Sequence, residues 1–262
     1  MSVNRASVSA PTPAAYTLRA AVLVYASDLG GAAYATVHGI EHGARPRLSA
    51  GAPATKEACA EIARALGEAA TLSGFVPPSL LYLGARSLVW WRPPAPATVH
   101  FDTTKSAAAD QPDDDTGASL IGKRAARVPH PGLVFAVGHR SWSVYALAGT
   151  ARPGPKTRLL RAPYFNVWAS GEICTGNVRL PRTLTPESLV QYEDAFFASE
   201  FTHPNVHGRE RLVRAEGGPY AFWRDLLDLG PGMTEFPVDQ LVDAKLTLEG
   251  LVQRMEKGRG RD

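Results

Sequence analysis

The chain has 262 residues, 45% of them hydrophobic and 20% charged, with a formal net charge of +3. This length buries a sizeable core, and the balance is that of a globular chain, which excludes a disordered one. The charge also argues against a nucleic-acid partner, because the basic residues gather only in two short groups, Arg209/Arg211/Arg214 and Lys257/Arg259/Arg261, that read as solvated surface.

Two cysteines, Cys59 and Cys174, make no disulfide framework, and no histidine lies at zinc-ligand spacing from either. No apolar run nears the ~20 residues that span a bilayer. Met1–Ala15 is rich in Ser, Ala and Pro, lacks an apolar segment and does not read as a signal peptide. The expectation is a cytoplasmic, reduced protein with no metal, no cofactor and no membrane partner.

In chain order, residues 1–15 read as a disordered arm. Residues 16–25 are rich in β-branched and aromatic side chains and predict a strand. A turn at 28–31 and a second strand at 34–40 complete a hairpin, so 16–54 reads as a β-hairpin extension. His38 and His42 are four apart, a metal-ligand spacing on a helix but not on a strand. Thr55 caps a helix predicted to Ser73, on whose apolar stripe Cys59 reads as a small buried hydrophobe. Short strands follow at 80–83, 88–91 and 98–101. The stretch 102–128, with its Asp-rich run at 110–115, lacks the full calcium-loop pattern and reads as a flexible loop. Strands at 133–137, 142–147 and 157–161, joined by short turns, predict an antiparallel meander. Thr185-Pro186-Glu187 starts a helix with a broad apolar face, from Leu189 and Val190 through Tyr192, Phe196 and Phe197 to Phe201. His203 reads as its C-cap. A last strong helix spans 219–229, and 236–262 reads as a short helix with a basic tail.

Between the meander and the first of these helices lies Asn166-Val-Trp-Ala-Ser-Gly171-Glu-Ile-Cys174. A cysteine just after a glycine turn, with an amide side chain eight residues upstream, is consistent with thiol chemistry. It is equally consistent with a buried thiol on a short strand and a turn-forming asparagine.

The stretch resembles the active-site sequence of ubiquitin-conjugating enzymes, Asn-Val-Tyr-x-x-Gly-x-Ile-Cys, and the order of elements resembles theirs. More closely, the chain resembles the bacterial PRTRC system protein B family, grouped with the prokaryotic conjugating-enzyme-like family D. Ala162-Pro-Tyr-Phe-Asn-Val, Gly171-Glu-Ile-Cys-Thr-Gly, Ala195-Phe-Phe-Ala-Ser-Glu-Phe-Thr-His203 and Phe222-Trp-Arg224 carry that resemblance. It implies an α+β fold over 55–235: a conjugating-enzyme-like antiparallel meander flanked by helices. It further implies a thioester on Cys174, an oxyanion donor in Asn166, and company with a ThiF-like activating enzyme, a ubiquitin-like protein and a JAB-type peptidase. Tyr164 and Glu172 are candidates to orient the acceptor amine or take its proton. Tyr164-Phe165 departs from the family's His-Pro before the asparagine. Two other readings remain: a non-catalytic module that docks a ubiquitin-like protein, and an accessory protein of a plasmid maintenance cassette.

Overall fold

A computed structural model describes residues 20–25, 34–43, 45–70, 76–108, 118–138, 141–176, 178–181, 183–206 and 210–257. The chain divides into two units, Met1–Gly74 and Phe75–Asp262.

In the first unit, β1 (Ala20–Tyr25) pairs antiparallel with β2 (Tyr34–Glu41), Val22 lying opposite Val37. The turn expected at 28–31 lies outside the described residues. Two short strands not anticipated from sequence, β3 (Arg47–Leu48) and β4 (Ala52–Pro53), also pair with β2. His38 braces this fold-back. Its Nδ1 donates to the Ser49 carbonyl (2.9 Å) and its Nε2 accepts from Thr36 Oγ1 (2.8 Å). Gly51 lies against the imidazole, where an added Cβ would come within 2.3 Å of the ring. Both ring nitrogens are thus engaged in the fold. α1 (Lys56–Ala70) follows, with Thr55 Oγ1 accepting from the Ala58 N–H at 3.2 Å. The reading of Cys59 as buried is corrected. The thiol is exposed.

The second unit is α+β and built on a six-stranded antiparallel sheet. Its strands are β5 (Leu80–Gly84), β6 (Ser87–Arg92), β9 (Gly132–Val137), β10 (Trp142–Leu147), β11 (Arg158–Arg161) and β13 (Asp243–Thr247), in the order β13-β11-β10-β9-β6-β5. β9 and β10 are buried along their whole length. Leu133, Phe135, Val137, Trp142, Val144 and Ala146 face the main core, while Val134, Ala136, Tyr145 and Leu147 face a smaller one. α2 (Leu189–Phe197) and α3 (Gly218–Leu229) pack into the first, and α4 (Leu248–Lys257) closes the second with Leu248 and Leu251. A helix layer on each face explains why central strands read as near-continuous apolar runs.

Four sequence expectations change here. Within 102–128, expected to be a loop, β8 (Lys123–Val128) pairs with β7 (Ala97–Asp102), with Lys123, Ala125 and Arg127 on the open face and Arg124, Ala126 and Val128 on the more buried one. α2 stops at Phe197 rather than near His203. β12 (Glu200–Phe201) then pairs parallel with β7, and His203 bonds the Thr202 hydroxyl (2.9 Å) instead of capping a helix. The start signal at Thr185 gives a 3₁₀ turn, Pro186–Ser188, before α2, with the Ser188 hydroxyl bonded back to the Thr185 N–H (3.2 Å) and C=O (2.7 Å). Finally, residues 236–257 are no appendage. β13 completes the sheet edge and α4 covers its second face.

Candidate active site

The stretch from Asn166 to Cys174 is a short hairpin. Val167 and Ile173 form an antiparallel bridge, the Trp168 N–H donates to the Glu172 carbonyl (2.8 Å), and the Cys174 N–H donates to the Asn166 carbonyl (2.7 Å). Asn166 and Cys174 are therefore directly opposite, and opposite residues share a face with Cβ atoms about 4.5–5.5 Å apart. Alternation fixes which face. Val167 and Ile173 are 1% and 4% exposed and enter the core. Asn166, Trp168, Glu172 and Cys174 take the other side, where Glu172 and Cys174 are exposed, Trp168 is 44% exposed and Asn166 is half-buried.

The hairpin is part of the sheet. β11 pairs with only the second half of β10, at Tyr145 and Ala146. The first half is taken by the hairpin: Ser143 bridges Glu172, the Val144 N–H donates to the Gly171 carbonyl (2.9 Å), and the Ile173 N–H donates to the Trp142 carbonyl (2.8 Å). Gly171 has φ +87°, and a Cβ there would lie 2.3 Å from Tyr145 Cζ. Only glycine meets both demands. The Tyr145 hydroxyl donates to the Ser170 carbonyl and closes the turn.

The lead-in is held carbonyl by carbonyl. Pro163 accepts from the Trp223 indole N–H (2.6 Å), Tyr164 from the Val167 N–H (3.1 Å), Phe165 from the Asn205 N–H (2.9 Å) and Asn166 from the Cys174 N–H (2.7 Å). Tyr164 is fully buried. Its hydroxyl meets His130 Nδ1 at 2.8 Å, and His130 Nε2 meets the Ala97 carbonyl at 3.2 Å. A carbonyl only accepts, so Nε2 carries the proton and Tyr164 donates to Nδ1. Burial pulls the His130 imidazole down to about 3 and pushes the Tyr164 phenol well above its usual range. Both stay neutral across the physiological range. A buried phenol facing a buried imidazole does not reach an acceptor amine, so the supporting role considered for Tyr164 is corrected to anchoring the turn. Phe165 packs edge-on against Phe101 (5.2 Å) and Tyr220 (5.0 Å). The departure from His-Pro is thus built as core on both residues.

The Asn166 amide is turned toward the end of α2. Its Nδ2 donates to Ser199 Oγ (3.0 Å), which donates in turn to the Phe196 carbonyl (2.6 Å). One amide hydrogen is engaged, and the other has no partner among the described residues. The buried Oδ1 has no partner among the described residues. Glu172 stands on the exposed face with Cys174, and Trp168 pairs across from it.

Sequence reasoning missed Ser199, Trp168 and His130. Trp168 carried a signal, an aromatic inside the motif two residues after the asparagine. His130 sits in Pro129-His130-Pro131, a local rigidity that marks a fixed side chain. Ser199 carried none, because nothing local shows which side chain a helix end will offer. The polar cluster behind α2 was also missed. Glu193 accepts from the Trp90 indole N–H (2.9 Å) and pairs with Arg92 Nε (3.1 Å), whose guanidinium lies 4.5 Å over the Phe197 ring. Burial pushes the Glu193 carboxyl up.

A model of prokaryotic E2 family D matches residues 57–244, a span that begins in α1 and holds the whole hairpin. The chain belongs to prokaryotic E2 family D. Membership links it to ubiquitin-like activating systems in general, and the α+β architecture is compatible with an E2-like fold. No curated protein and no solved structure matches the chain. Among the described residues no helix of this family D protein is long and apolar enough to cross a membrane.

Proposed function

We propose that this family D protein is a ubiquitin-like-protein conjugating enzyme that carries its cargo as a thioester on Cys174. The observation that carries the reading is the cross-strand pairing of Asn166 with an exposed Cys174 on a fixed hairpin. In this reading the Cys174 thiolate attacks the thioester carbonyl held by a ThiF-like activating enzyme. A new C–S bond forms, the old one breaks, and the activating enzyme's thiol leaves. An acceptor amine then attacks the same carbonyl. The C–N bond forms, the Cys174 thiolate departs and the amine's proton passes to Glu172 or to water. The free N–H of Asn166 donates to the oxyanion, while Ser199 holds the amide's other hydrogen.

Incubation with a cognate activating enzyme, ATP and ubiquitin-like protein tests this. The expected outcome is a reductant-sensitive adduct on the wild-type chain and none on Cys174→Ala. Absence of an adduct with every cognate set sinks the reading. It would favour a non-catalytic docking module, the alternative supported by the engagement of the Asn166 amide with Ser199.

A further inference from the structure

A cavity of about 370 Å³ opens beside α3, and no residue of the Asn166–Cys174 hairpin lines it. Its lining combines apolar Phe222, Leu226, Met233 and Pro237 with two carboxylates, Glu216 and Asp225. Both acids are exposed. The surrounding sequence is strongly anionic in a chain that is cationic as a whole. Residues 215–243 hold six carboxylates and a single basic side chain, Arg224, against a net charge of +3 overall.

Three of the six are matched by cations. Asp228 meets Arg124 (2.7 Å), Asp243 meets Arg158, and Asp225 meets its neighbour Arg224 (2.6 Å). The last is a surface pair between adjacent residues, 38% and 60% exposed, of the kind that contributes little and exchanges readily. Glu216 has no ion pair among the described residues. The cavity therefore offers an apolar lining with Glu216 outside any ion pair among the described residues and Asp225 held only by its exposed neighbour, Arg224 Nε (2.8 Å) and Nη2 (2.6 Å) both donating to one Asp225 oxygen. An anion would meet like charge there. A purely apolar side chain would desolvate the acids without replacing their water. A long cationic side chain satisfies both parts, its methylene stem against the apolar lining and its charged head at the acids.

We propose that this cavity docks a lysine or arginine side chain presented by a cationic segment of a partner protein. The proposal stands apart from the chemistry of Cys174. The two are nonetheless connected through α3, which lines the cavity with Phe222 and Leu226 and bonds the hairpin's lead-in through Trp223.

Fluorescence anisotropy with a fluorescein-labelled hexalysine peptide and the full chain, without any activating enzyme, tests the proposal independently of thioester formation. Saturable binding that weakens with added salt is expected, and hexaglutamate should not bind. Affinity should fall about tenfold or more in the pair Glu216→Gln/Asp225→Asn. It should fall similarly in Ala221→Phe, which fills the cavity without changing charge. Circular dichroism checks that the variants fold, and the exposed Glu216→Gln alone carries the test if Ala221→Phe does not. Three results would each overturn the proposal: no binding of hexalysine, binding unmoved in the folded variants, or spermidine binding as tightly as the peptide.

Discussion

Cys59 and Cys174 are the two thiols of the chain, and both are exposed. Around Cys59 the chain is a plain helix. Its N–H bonds the Thr55 carbonyl as any helical amide does (3.0 Å). Around Cys174 the backbone is fixed from several directions: by β10 on one side, by Asn166 across the hairpin, and by core contacts of Val167 and Ile173 beneath. Exposure is thus common to both, while positioning belongs to one. A thiol becomes a candidate nucleophile when the atoms around the reacting carbonyl are held as well, because orientation accounts for much of the barrier reduction available to such a site.

The contrast breaks most completely at the sulfur. Cys174→Ala should abolish the adduct while Cys59→Ala keeps it, as read on a non-reducing gel. An adduct that survives Cys174→Ala would reverse the assignment. Next is the donor. Asn166→Ala should still form the adduct but transfer it to amine about 10²–10³ times more slowly, about 2.7–4 kcal/mol in the barrier, in single-turnover discharge assays. Equal discharge rates would leave the asparagine a turn former.

Gly171→Ala tests the mounting instead of the chemistry. A methyl group at φ +87° and against the Tyr145 ring should lower stability by about 1–3 kcal/mol in urea titrations, with adduct yield falling alongside. Tyr164→Phe leaves His130 Nδ1 buried without a donor and should lower stability by about 1–3 kcal/mol, with the pH profile of discharge unchanged.

The last effect is acid sensitivity. The folded state holds His130 at about 3 against an ordinary 6.5, so between those values the unfolded chain binds a proton that the folded chain does not. This contribution is complete above 6.5 and is lost as pH falls toward 3, by at most about 1.4 kcal/mol per pH unit. Urea midpoints at about pH 7 and about pH 4.5 should converge more in His130→Gln than in wild type.

Much of this arrangement was legible from local pattern. Strands such as Leu133–Val137 and Trp142–Leu147 carry apolar runs between turns, and α3 carries its periodicity and its Gly-Pro stop. The offset of Asn166 from Cys174 could be read directly, because a hairpin is a local structure whose register follows from spacing. What escaped depended on residues far apart in the chain. β8 owes its existence to pairing with β7 across a long connection, β12 to a parallel partner about a hundred residues earlier, and β13 to the exposed edge of β11. Ser199 meets Asn166 only because α2 ends where it does. Cys59 was misread for a related reason: a helical stripe states that a face is apolar and does not state what covers it.

The division of β10 between two partners has a kinetic consequence. Because Val144, Ile173 and Cys174 donate into the sheet ladder, their amides should exchange with solvent among the slow set of this unit instead of with the loops. The sulfur then sits next to hydrogen-bonded sheet backbone. On the proposed reading an arriving thioester meets a thiol whose backbone is already hydrogen-bonded into the hairpin, so most of the ordering entropy of the encounter falls on the cargo and on the partner that delivers it.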